Sequence, residues 1–297
     1  MIHGILNLLK PPGMSSRDLV DLVCQVTRQS RVGHAGTLDP LATGVLVVCC
    51  GRATRLVELI QSGTKEYQAT FRLGQTSDTD DSTGTVIEHA CERWPHRQEI
   101  VSRLPSFHGD VWQVPPVYSA LKLSGRRAYQ LARQGQAVEL PPRQIRIDEL
   151  RIELYDPPHL NLFIRCGSGT YVRSIGRDLG QQLGCGALMT DLIRSRVGPF
   201  HLRDAVPVDQ LNRDTLSRYL LPLEAAVQEL PQQRCTADEA RRLRMGQRLE
   251  LSPELIAQTR SASTPYIAVL EADGELIAVG HLRDEHLFQP QIVFPVL

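Results

Sequence analysis

Two distant segments with strict two-residue hydrophobic alternation place the strongest constraint on how this chain folds. Tyr67–Leu73 puts four apolar side chains on one face and polar side chains on the other, and Leu160–Cys166 repeats the pattern. Successive side chains of a strand point to opposite faces of a sheet, so this alternation predicts strands with one buried face. The sequence therefore predicts a β-sheet that has a core on at least one side.

The spacing of apolar residues changes to a helical period in two other places. It does so after Gly167-Ser168-Gly169, and again near Ser15, where Ser15-Ser16-Arg17-Asp18 is a capping-box pattern. The short apolar run Val45–Cys50 predicts a further, fully buried strand. The predicted buried helix faces are Leu19, Leu22, Val23 and Val26 in the first helix, and Val172, Ile175, Leu179 and Leu183 in the second.

A second, smaller domain is predicted at the C-terminal end, after a boundary within Leu230–Gln233. A charged helix over Ala237–Met245 and a final strand over Ile292–Val296 are expected there. Between them lies a hairpin, since Asp273-Gly274 is a strong turn sequence. Its two strands are Tyr266–Ala272 and Glu275–Leu282. We therefore predict domains over residues 1–229 and 234–297.

Formal net charge is zero, from 33 Lys and Arg against 33 Asp and Glu. That balance is weak evidence against nucleic-acid binding, because many such domains are strongly basic. The cations are nevertheless clustered in 118–151, with seven against three acids, and in 165–203, with six arginines against two acids. From charge alone, a nucleic-acid surface and an ordinary solvated surface are equally good interpretations.

The sequence does not match the motifs typical of metal sites, cofactor sites or membrane segments. The seven cysteines are scattered without a C-x-x-C pair, which favours buried reduced thiols. An EF-hand register begun at Asp78 has Thr83 where glycine is needed and His89 where glutamate is needed. We expect a polar hairpin turn closing at Gly84 instead, and no metal or cofactor. The N-terminal apolar run Ile5–Leu9 is too short for a signal peptide or a membrane helix, so we expect a cytoplasmic protein.

Two residues stand out chemically. Asp39 precedes Pro40 in a glycine-rich loop, and a residue before proline is held in an extended conformation, which would fix one carboxylate at the edge of a buried strand. A simple turn is the commoner use of Asp-Pro. Arg173 lies in the first turn of a predicted helix, where a cation is disfavoured by about 0.3–1 kcal/mol. An exposed arginine tolerates that small cost; otherwise we expect an anionic partner, either a phosphate or a carboxylate. Asp78, Asp80 or Asp81 could supply it.

Aromatic residues alternate with cations from Tyr118-Ser119-Ala120-Leu121-Lys122 through Tyr129 to Arg133. Rings stack on exposed bases and cations contact phosphates, so the segment suits RNA, although it is a weak indication alone.

Taken together, these segments resemble the TruB family of tRNA pseudouridine synthases. The resemblance extends, in order, over about the first two hundred residues; the C-terminal part is a weaker match to the small PUA-type RNA-binding β-domain. The matching stretches are Lys10-Pro11-x-Gly13-Met14-Ser15-Ser16, Gly33-His34-x-Gly36-x-Leu38-Asp39-Pro40-Leu41-Ala42-Thr43-Gly44, Lys65-x-Tyr67, Leu73-Gly74, Tyr118-Ser119-Ala120-Leu121-Lys122, Gly169-Thr170-Tyr171-Val172-Arg173-Ser174, Asp178-Leu179-Gly180 and Leu192-x-Arg194.

The resemblance implies an α+β protein: a mixed β-sheet catalytic domain with flanking helices, then a PUA-like β-barrel domain. It implies conversion of uridine 55 in the T-arm loop of tRNA to pseudouridine, without cofactor or guide RNA. The resemblance also implies roles for single residues. Asp39 is the catalytic carboxylate, Tyr67 stacks on the base and abstracts a proton, and Arg173 pairs with Asp39 and with Asp81. His34 fills the space of the displaced nucleotide, Tyr171 and Leu192 line the pocket, Lys65 contacts a phosphate or the pocket, and Lys122 belongs to an RNA-clasping insert (118–140).

The chemistry of the reaction suits these roles. The target base must leave its stack, which costs a few kcal/mol and calls for a wedge and a new stacking partner. The carboxylate must be ionised, and we expect the cation Arg173 to lower the pKa of Asp39. Whether Asp39 attacks C1′ or deprotonates the sugar stays open. So do two other hypotheses, a tRNA-binding or folding-assistance protein and a guide-RNA-dependent synthase. A monomer is our default expectation.

Overall fold

The computed structural model describes residues 1–119, 121–123, 126–127, 134, 139–262 and 264–295. The α-helices are Ser16–Thr27 (α1), Val57–Ser62 (α2), Arg97–Arg103 (α3), Val172–Gln182 (α4), Leu216–Tyr219 (α5), Ala237–Arg244 (α6) and Pro253–Ser261 (α7). The strands are Gly4–Lys10 (β1), Val32–His34 (β2), Thr43–Cys50 (β3), Lys65–Leu73 (β4), Gln75–Ser77 (β5), Val86–Glu88 (β6), Gly109–Gln113 (β7), Lys122–Leu123 (β8), Arg126–Arg127 (β9), Arg143–Asp156 (β10), His159–Cys166 (β11), Ala187–Val197 (β12), Phe200–His201 (β13), Val206–Pro207 (β14), Gln232–Cys235 (β15), Leu249–Glu250 (β16), Tyr266–Glu271 (β17), Leu276–Arg283 (β18) and Leu287–Val293 (β19).

A large mixed sheet organises the first two thirds of the chain, as predicted. Its strand order is β14-β1-β3-β12-β4-β11-β10-β7, with β2 added on β3 and β13 on β12. The pairs β1–β14 and β3–β12 are parallel and the other pairs are antiparallel. The central strand β4 is therefore flanked by β11, predicted from its alternation, and by β12, which the sequence analysis did not predict.

The alternation of β4 has the predicted structural cause. Its apolar residues Tyr67, Ala69, Phe71 and Leu73 are all buried in one core cluster, while the side chains between them are at least partly exposed. The apolar stripe of α4 packs into the same cluster through Val172, Ile175 and Leu179. This packing places the N-terminal end of α4 beside the start of β4.

Helix α1 and strand β3 also lie where the sequence predicts them. Ser15 caps α1, because its hydroxyl accepts from the backbone N–H of Asp18 while the Asp18 carboxylate accepts from Ser15 N–H. The buried residues Leu19 and Val23 of the helix pack against β1 and β3. Helix and strand therefore hold the two ends of the glycine-rich loop that contains Asp39.

A separate sheet forms at the C-terminal end, in the order β15-β17-β18-β19-β16. The helix α6 and the hairpin β17–β18 confirm the elements predicted there. The last strand, β19, is Leu287–Val293 and so begins earlier than predicted; residues 296–297 lie outside the described part of the chain. Residues of this sheet, including Ala268 and Val279, share a core cluster with Ile5 and Val45 of the large sheet.

The acidic segment around Asp78 is a hairpin turn, as expected. Strands β5 and β6 pair on either side of it, and Asp78 accepts a hydrogen bond from Thr85 N–H at 2.7 Å. The turn is attached to β12 because Met189 N–H donates to the carbonyl of Asp80 and Ser82 N–H donates to that of Met189. The hairpin thereby brings its aspartates to the side of α4.

Gly44, at the start of β3, is required by both backbone conformation and space. Its φ is +107°, and a Cβ there would stand 2.7 Å from the backbone nitrogen of Arg194. Backbone atoms cannot yield, so we expect Gly44→Ala to lower the free energy of unfolding by about 2–4 kcal/mol. Gly274→Ala is the control, because φ there is +97° but a Cβ would meet nothing within 4 Å. Equal losses in urea denaturation of the two variants would contradict the steric argument.

Candidate active site

A cavity of about 390 Å³ lies where the Asp39 loop, β4, β12 and the segment before α4 converge. The sequence segments that form it are far apart in the chain. The lining residues include Gly36, Thr37, Leu38, Asp39, Gln61, Lys65, Tyr67, Tyr118, Ser119, Leu121, Arg143, Gly167, Ser168, Gly169, Thr170, Tyr171, Val172, Arg173, Leu192 and Arg194.

The loop that carries Asp39 is fixed by side chains from outside it. The Ser16 hydroxyl accepts from Leu38 N–H at 2.9 Å and donates to the Leu38 carbonyl at 3.1 Å. The buried Lys10 ammonium donates to the carbonyl of Pro40 at 3.2 Å. The loop carbonyls are therefore satisfied within the protein, and the Asp39 carboxylate is the charged group that the loop presents to the cavity.

Arg173 is the direct partner of Asp39, as the resemblance implies. Its Nη2 lies 2.9 Å from Asp39 Oδ1 and 3.1 Å from the Tyr118 carbonyl, while its Nη1 donates to the Thr79 carbonyl at 2.8 Å. The side chain is only 7 % exposed. A buried guanidinium at the start of α4, where the helix dipole disfavours a cation, is thus stabilised by the anionic partner that its position predicts.

Two aspartates of the acidic hairpin pair with two arginines on successive turns of α4. Asp81 Oδ2 lies 3.5 Å from Arg173 Nη1, and Asp80 Oδ2 lies 2.9 Å from Arg177 Nη1. Asp81 is itself buried and accepts hydrogen bonds from the N–H and the hydroxyl of Thr83. The ion pairs run from the hairpin through Arg173 to Asp39, which fixes the Arg173 side chain from both sides.

The expected effect of Arg173 on the acidity of Asp39 is outweighed by burial. Burial disfavours the carboxylate and raises the pKa of Asp39 above its usual value. Arg173 opposes that rise, while the charge of Asp81 adds to it. Arg173 therefore lowers the pKa of Asp39, as expected, but the loss of solvent around the carboxyl group, which the sequence argument did not include, raises it by more.

Tyr67 lies on β4 with its ring in the cavity wall. Burial raises the pKa of its hydroxyl to about 12, and the neighbouring Arg194 opposes that rise. Arg194 is the residue paired with Tyr67 across β4 and β12. At neutral pH Tyr67 is therefore a phenol, able to donate a hydrogen bond from the wall of the cavity.

Lys65, Tyr171 and Leu192 also line the cavity, as the resemblance implies. Lys65 is buried and its ammonium donates to the Gln61 carbonyl. Burial lowers the pKa of Lys65 to about 8. Tyr171 is held by Gln113, whose side chain bonds to both the N–H and the carbonyl of Tyr171.

Two of the expected site residues are not placed with the others. His34 is in β2, paired with Val48, and does not line the cavity. Burial lowers the pKa of its imidazole, and its Nδ1 is buried with no hydrogen-bond partner in the described part of the chain. Lys122 contributes backbone to the β8–β9 pair, while its side chain and most of the insert around it lie outside the described residues.

Sequence reasoning gave no role to two further arginines of the cavity wall. Arg194 is buried and donates to the carbonyls of Gly36, Thr37 and Val45, so it holds the Asp39 loop against β12. The spacing Leu192-x-Arg194 contains the signal, since residues two apart on a strand share a face. Arg143, at the start of β10, also lines the cavity.

A carboxylate, a neighbouring guanidinium and a phenol around a cavity are suited to nucleophilic or acid–base chemistry. Within the described ranges, no group of three or more His, Cys, Asp or Glu side chains is placed to hold a metal ion. No helix among the described residues is long and apolar enough to cross a membrane.

The fold of the chain is similar to those of solved H/ACA ribonucleoprotein components. One is the structure of an H/ACA RNP bound to a substrate RNA containing 2′-deoxyuridine, with a TM-score of 0.71, 21 % identity and coverage of 98 % of this chain and 85 % of that chain. Another is the archaeal box H/ACA sRNP Nop10–Cbf5 complex, with a TM-score of 0.69, 22 % identity and coverage of 97 % and 84 %. At these identities the likeness concerns the fold alone.

Similarity at the level of sequence is closer. Residues 25–172 match the N-terminal domain model of the TruB family of pseudouridylate synthases, and residues 173–228 match the tRNA pseudouridylate synthase B C-terminal domain model. The tRNA pseudouridine synthase B of Dinoroseobacter shibae is 40 % identical over 98 % of this chain and 95 % of that protein. That of Dehalococcoides mccartyi is 41 % identical, over 99 % and 97 %. The chain therefore belongs to the TruB family and is a tRNA pseudouridine synthase, an isomerase.

Proposed function

We propose that the chain converts uridine 55 in the T-arm loop of tRNA to pseudouridine, with Asp39 as the catalytic carboxylate and with neither cofactor nor guide RNA. The observation that carries this proposal is the Asp39–Arg173 ion pair of 2.9 Å in the wall of the cavity. It joins the two residues that the sequence singles out, although 134 positions separate them along the chain.

The reaction breaks the N1–C1′ bond, turns the base and joins C5 to C1′. The C5 proton is lost and N1 gains one, so there is no net change in composition or oxidation state. Asp39 acts in its ionised form, either by attack on C1′ or by removal of a sugar proton. Arg173 favours the ionised form of this partly buried carboxylate, since its charge opposes the rise in the pKa of Asp39 that burial causes. The ion pair is thus a requirement for the reactive state.

Asp39 and Tyr67 lie in the wall of the cavity. A base reaches them only after it has left its stack in the RNA. Tyr67 offers a ring on which the base stacks, and Tyr171 and Leu192 form other parts of the wall. We assign His34, in β2, to the rim, where it fills the space of the displaced nucleotide.

Tyr67→Phe should bind tRNA normally and turn over about 10²- to 10⁴-fold more slowly, as expected when a group that transfers a proton is removed. The hydroxyl, with a pKa raised to about 12, accepts the C5 proton only if its own proton first passes to the base or to solvent, and Arg194 is placed to stabilise the phenolate in between. Tyr155→Phe is the control, because Tyr155 donates to the Pro95 carbonyl away from the cavity. Wild-type turnover by Tyr67→Phe would remove its proton role.

The residues around the cavity form a catalytic domain over 1–229, and 234–297 a PUA-like domain that adds RNA contacts. The small five-stranded sheet at the C-terminal end suits such a domain. The insert 118–140 is expected to clasp the T-loop, with Lys122 among its phosphate contacts. All of these contacts release counterions, so tRNA binding should weaken as salt increases.

The T-arm assignment is tested with isolated stem-loops. Purified protein should form pseudouridine in a T-arm stem-loop, detected by carbodiimide modification and primer extension, and should form none when the target uridine is replaced by cytidine. An anticodon stem-loop of equal length is the matched control. Equal conversion of both stem-loops would contradict T-arm specificity, and a requirement for an added RNA would contradict independence from guides.

The clustered cations also support a second candidate, a role in tRNA binding or folding that does not depend on isomerisation. An Asp39→Asn allele separates the two. Rescue of every defect of a deletion strain by this allele would favour the folding role, and rescue of none would count against it.

A further inference from the structure

Three arginines line the cavity within the part of the chain that the structure describes, and they differ in what they bind. Arg173 donates to Asp39 and to two backbone carbonyls and faces Asp81. Arg194 donates to three backbone carbonyls. Arg143 makes no hydrogen bond and no ion pair with the described residues, and its Nε is buried without a partner. Arg143 is therefore the one of these three cations whose guanidinium has no polar partner among the described residues.

The guanidinium of Arg143 is held in place although it has no polar partner. It lies over the ring of Tyr171, with Cζ 4.8 Å from the ring centroid. On another side it packs against Gly169, where a Cβ would collide with Nη2 and stand 3.0 Å from Cζ. Stacking and the absence of a side chain at Gly169 thus fix the direction of the guanidinium before any ligand arrives, which lowers the entropy cost of binding.

The chemistry of the free donors selects the ligand. A guanidinium has donors only, and its planar fork matches two oxygens of one anion. A uracil base has an N–H donor between its two carbonyl acceptors, so it does not offer two adjacent acceptors to the paired N–H groups of a guanidinium. A phosphodiester offers two adjacent anionic oxygens, and each nucleotide that enters the cavity brings one with it. An orphaned buried donor also costs free energy until a ligand satisfies it.

We propose that Arg143 binds the backbone phosphate of the nucleotide whose base occupies the cavity, and so positions the sugar of that nucleotide before Asp39. The inference rests on the proposed function, since it takes an RNA nucleotide as the occupant. It assigns to Arg143 a substrate-binding role, while the chemical step remains with Asp39.

The first test compares Arg143→Gln with a matched control on the same strand. Arg146 in β10 is exposed and paired with Asp110 and Asp148, so Arg146→Gln removes the same charge outside the cavity. We expect Arg143→Gln to weaken T-arm stem-loop binding by about tenfold to a hundredfold and to raise KM more than it lowers kcat. The slope of log affinity against log salt should fall by about 0.7–0.9. Arg146→Gln should leave the affinity, KM, kcat and the salt slope close to their wild-type values.

The second test identifies the phosphate. A methylphosphonate at the target nucleotide removes one phosphate charge from the stem-loop. With wild-type protein it should weaken binding about as much as Arg143→Gln does, and combining the two changes should cause little further loss, because both remove the same contact. A methylphosphonate two nucleotides away is the control. If the losses of binding free energy from Arg143→Gln and from the target methylphosphonate are additive, the proposal is overturned.

Failure of this inference is distinguishable from failure of the proposed function. Tritium release from the T-loop uridine by wild-type protein tests the reaction independently of Arg143. If release occurs and the losses are additive, the reaction stands and Arg143 serves only to hold Tyr171 and Gly169. That structural role predicts a lower melting temperature for Arg143→Gln with an unchanged salt slope.

Discussion

Asp39→Asn should lower pseudouridine formation at least about a thousandfold while tRNA binding stays close to that of the wild type. Asparagine keeps the shape of the side chain and one oxygen to accept from Arg173, which lies 2.9 Å from the Asp39 carboxylate. It cannot act as an anionic nucleophile or as a base. Single-turnover conversion of tRNA and a filter-binding assay measure the two properties separately.

Asp21→Asn is the matched control for that change. Asp21 carries an exposed carboxylate on α1 that pairs with Arg17, so the same chemical substitution occurs away from the cavity. Turnover by the control should be that of the wild type. Substantial turnover by Asp39→Asn, with the site of modification unchanged, would make Asp39 a structural turn residue and end its assignment as the catalytic carboxylate.

Arg173→Gln should lower kcat by about 10²- to 10³-fold near neutral pH, because it removes the cation that favours the ionised form of Asp39. The pH profile should change as well. Burial already raises the pKa of Asp39, and Arg173 opposes the rise. Without Arg173 the pKa rises further, so the protonated, inactive form persists to higher pH. The acid limb of kcat should therefore move to higher pH, and activity should recover as pH increases.

Arg177→Gln provides the comparison for this prediction. Arg177 lies one turn further along α4 and pairs with Asp80 and Asp178 rather than with Asp39. Its removal should lower stability without displacing the acid limb. An acid limb that stays in place in Arg173→Gln, or that moves equally in both variants, would contradict the role of Arg173 in keeping Asp39 ionised.

The parts of the fold that the sequence predicted are those with a local signal. Alternation predicted β4 and β11, and the capping box at Ser15 predicted the start of α1. Strand β12 was missed, although it lies at the centre of the sheet. Its register shifts near Met189 and Arg194 interrupt the two-residue period, and its exposed face carries charges. Arg194 lies on β12, so the hydrogen bonds by which it holds the Asp39 loop were missed together with the strand.

Local sequence patterns could not predict which residues of the candidate site lie next to each other, because those residues come from distant segments of the chain. Helix-dipole reasoning suggested an anion for Arg173 and offered the aspartates of the acidic hairpin, but Asp39 was named as its partner only through the family resemblance. The effect of Arg173 on the pKa of Asp39 was predicted correctly, but the larger, opposite effect of burial was not, because burial is a property of the folded environment. The free donors of Arg143 became apparent only when the partners of its two neighbours, Arg173 and Arg194, were known.

The central claim is that this chain alone performs the isomerisation, and release of tritium from C5 of uridine tests it most directly. Unmodified tRNA transcript labelled at uridine C5 is incubated with purified protein, with no cofactor and no guide RNA. We expect release of one tritium per tRNA, lost when the T-loop target is replaced by cytidine. No release, with the tRNA still bound, would contradict the account and leave a tRNA-binding protein in which Asp39 is a structural turn residue.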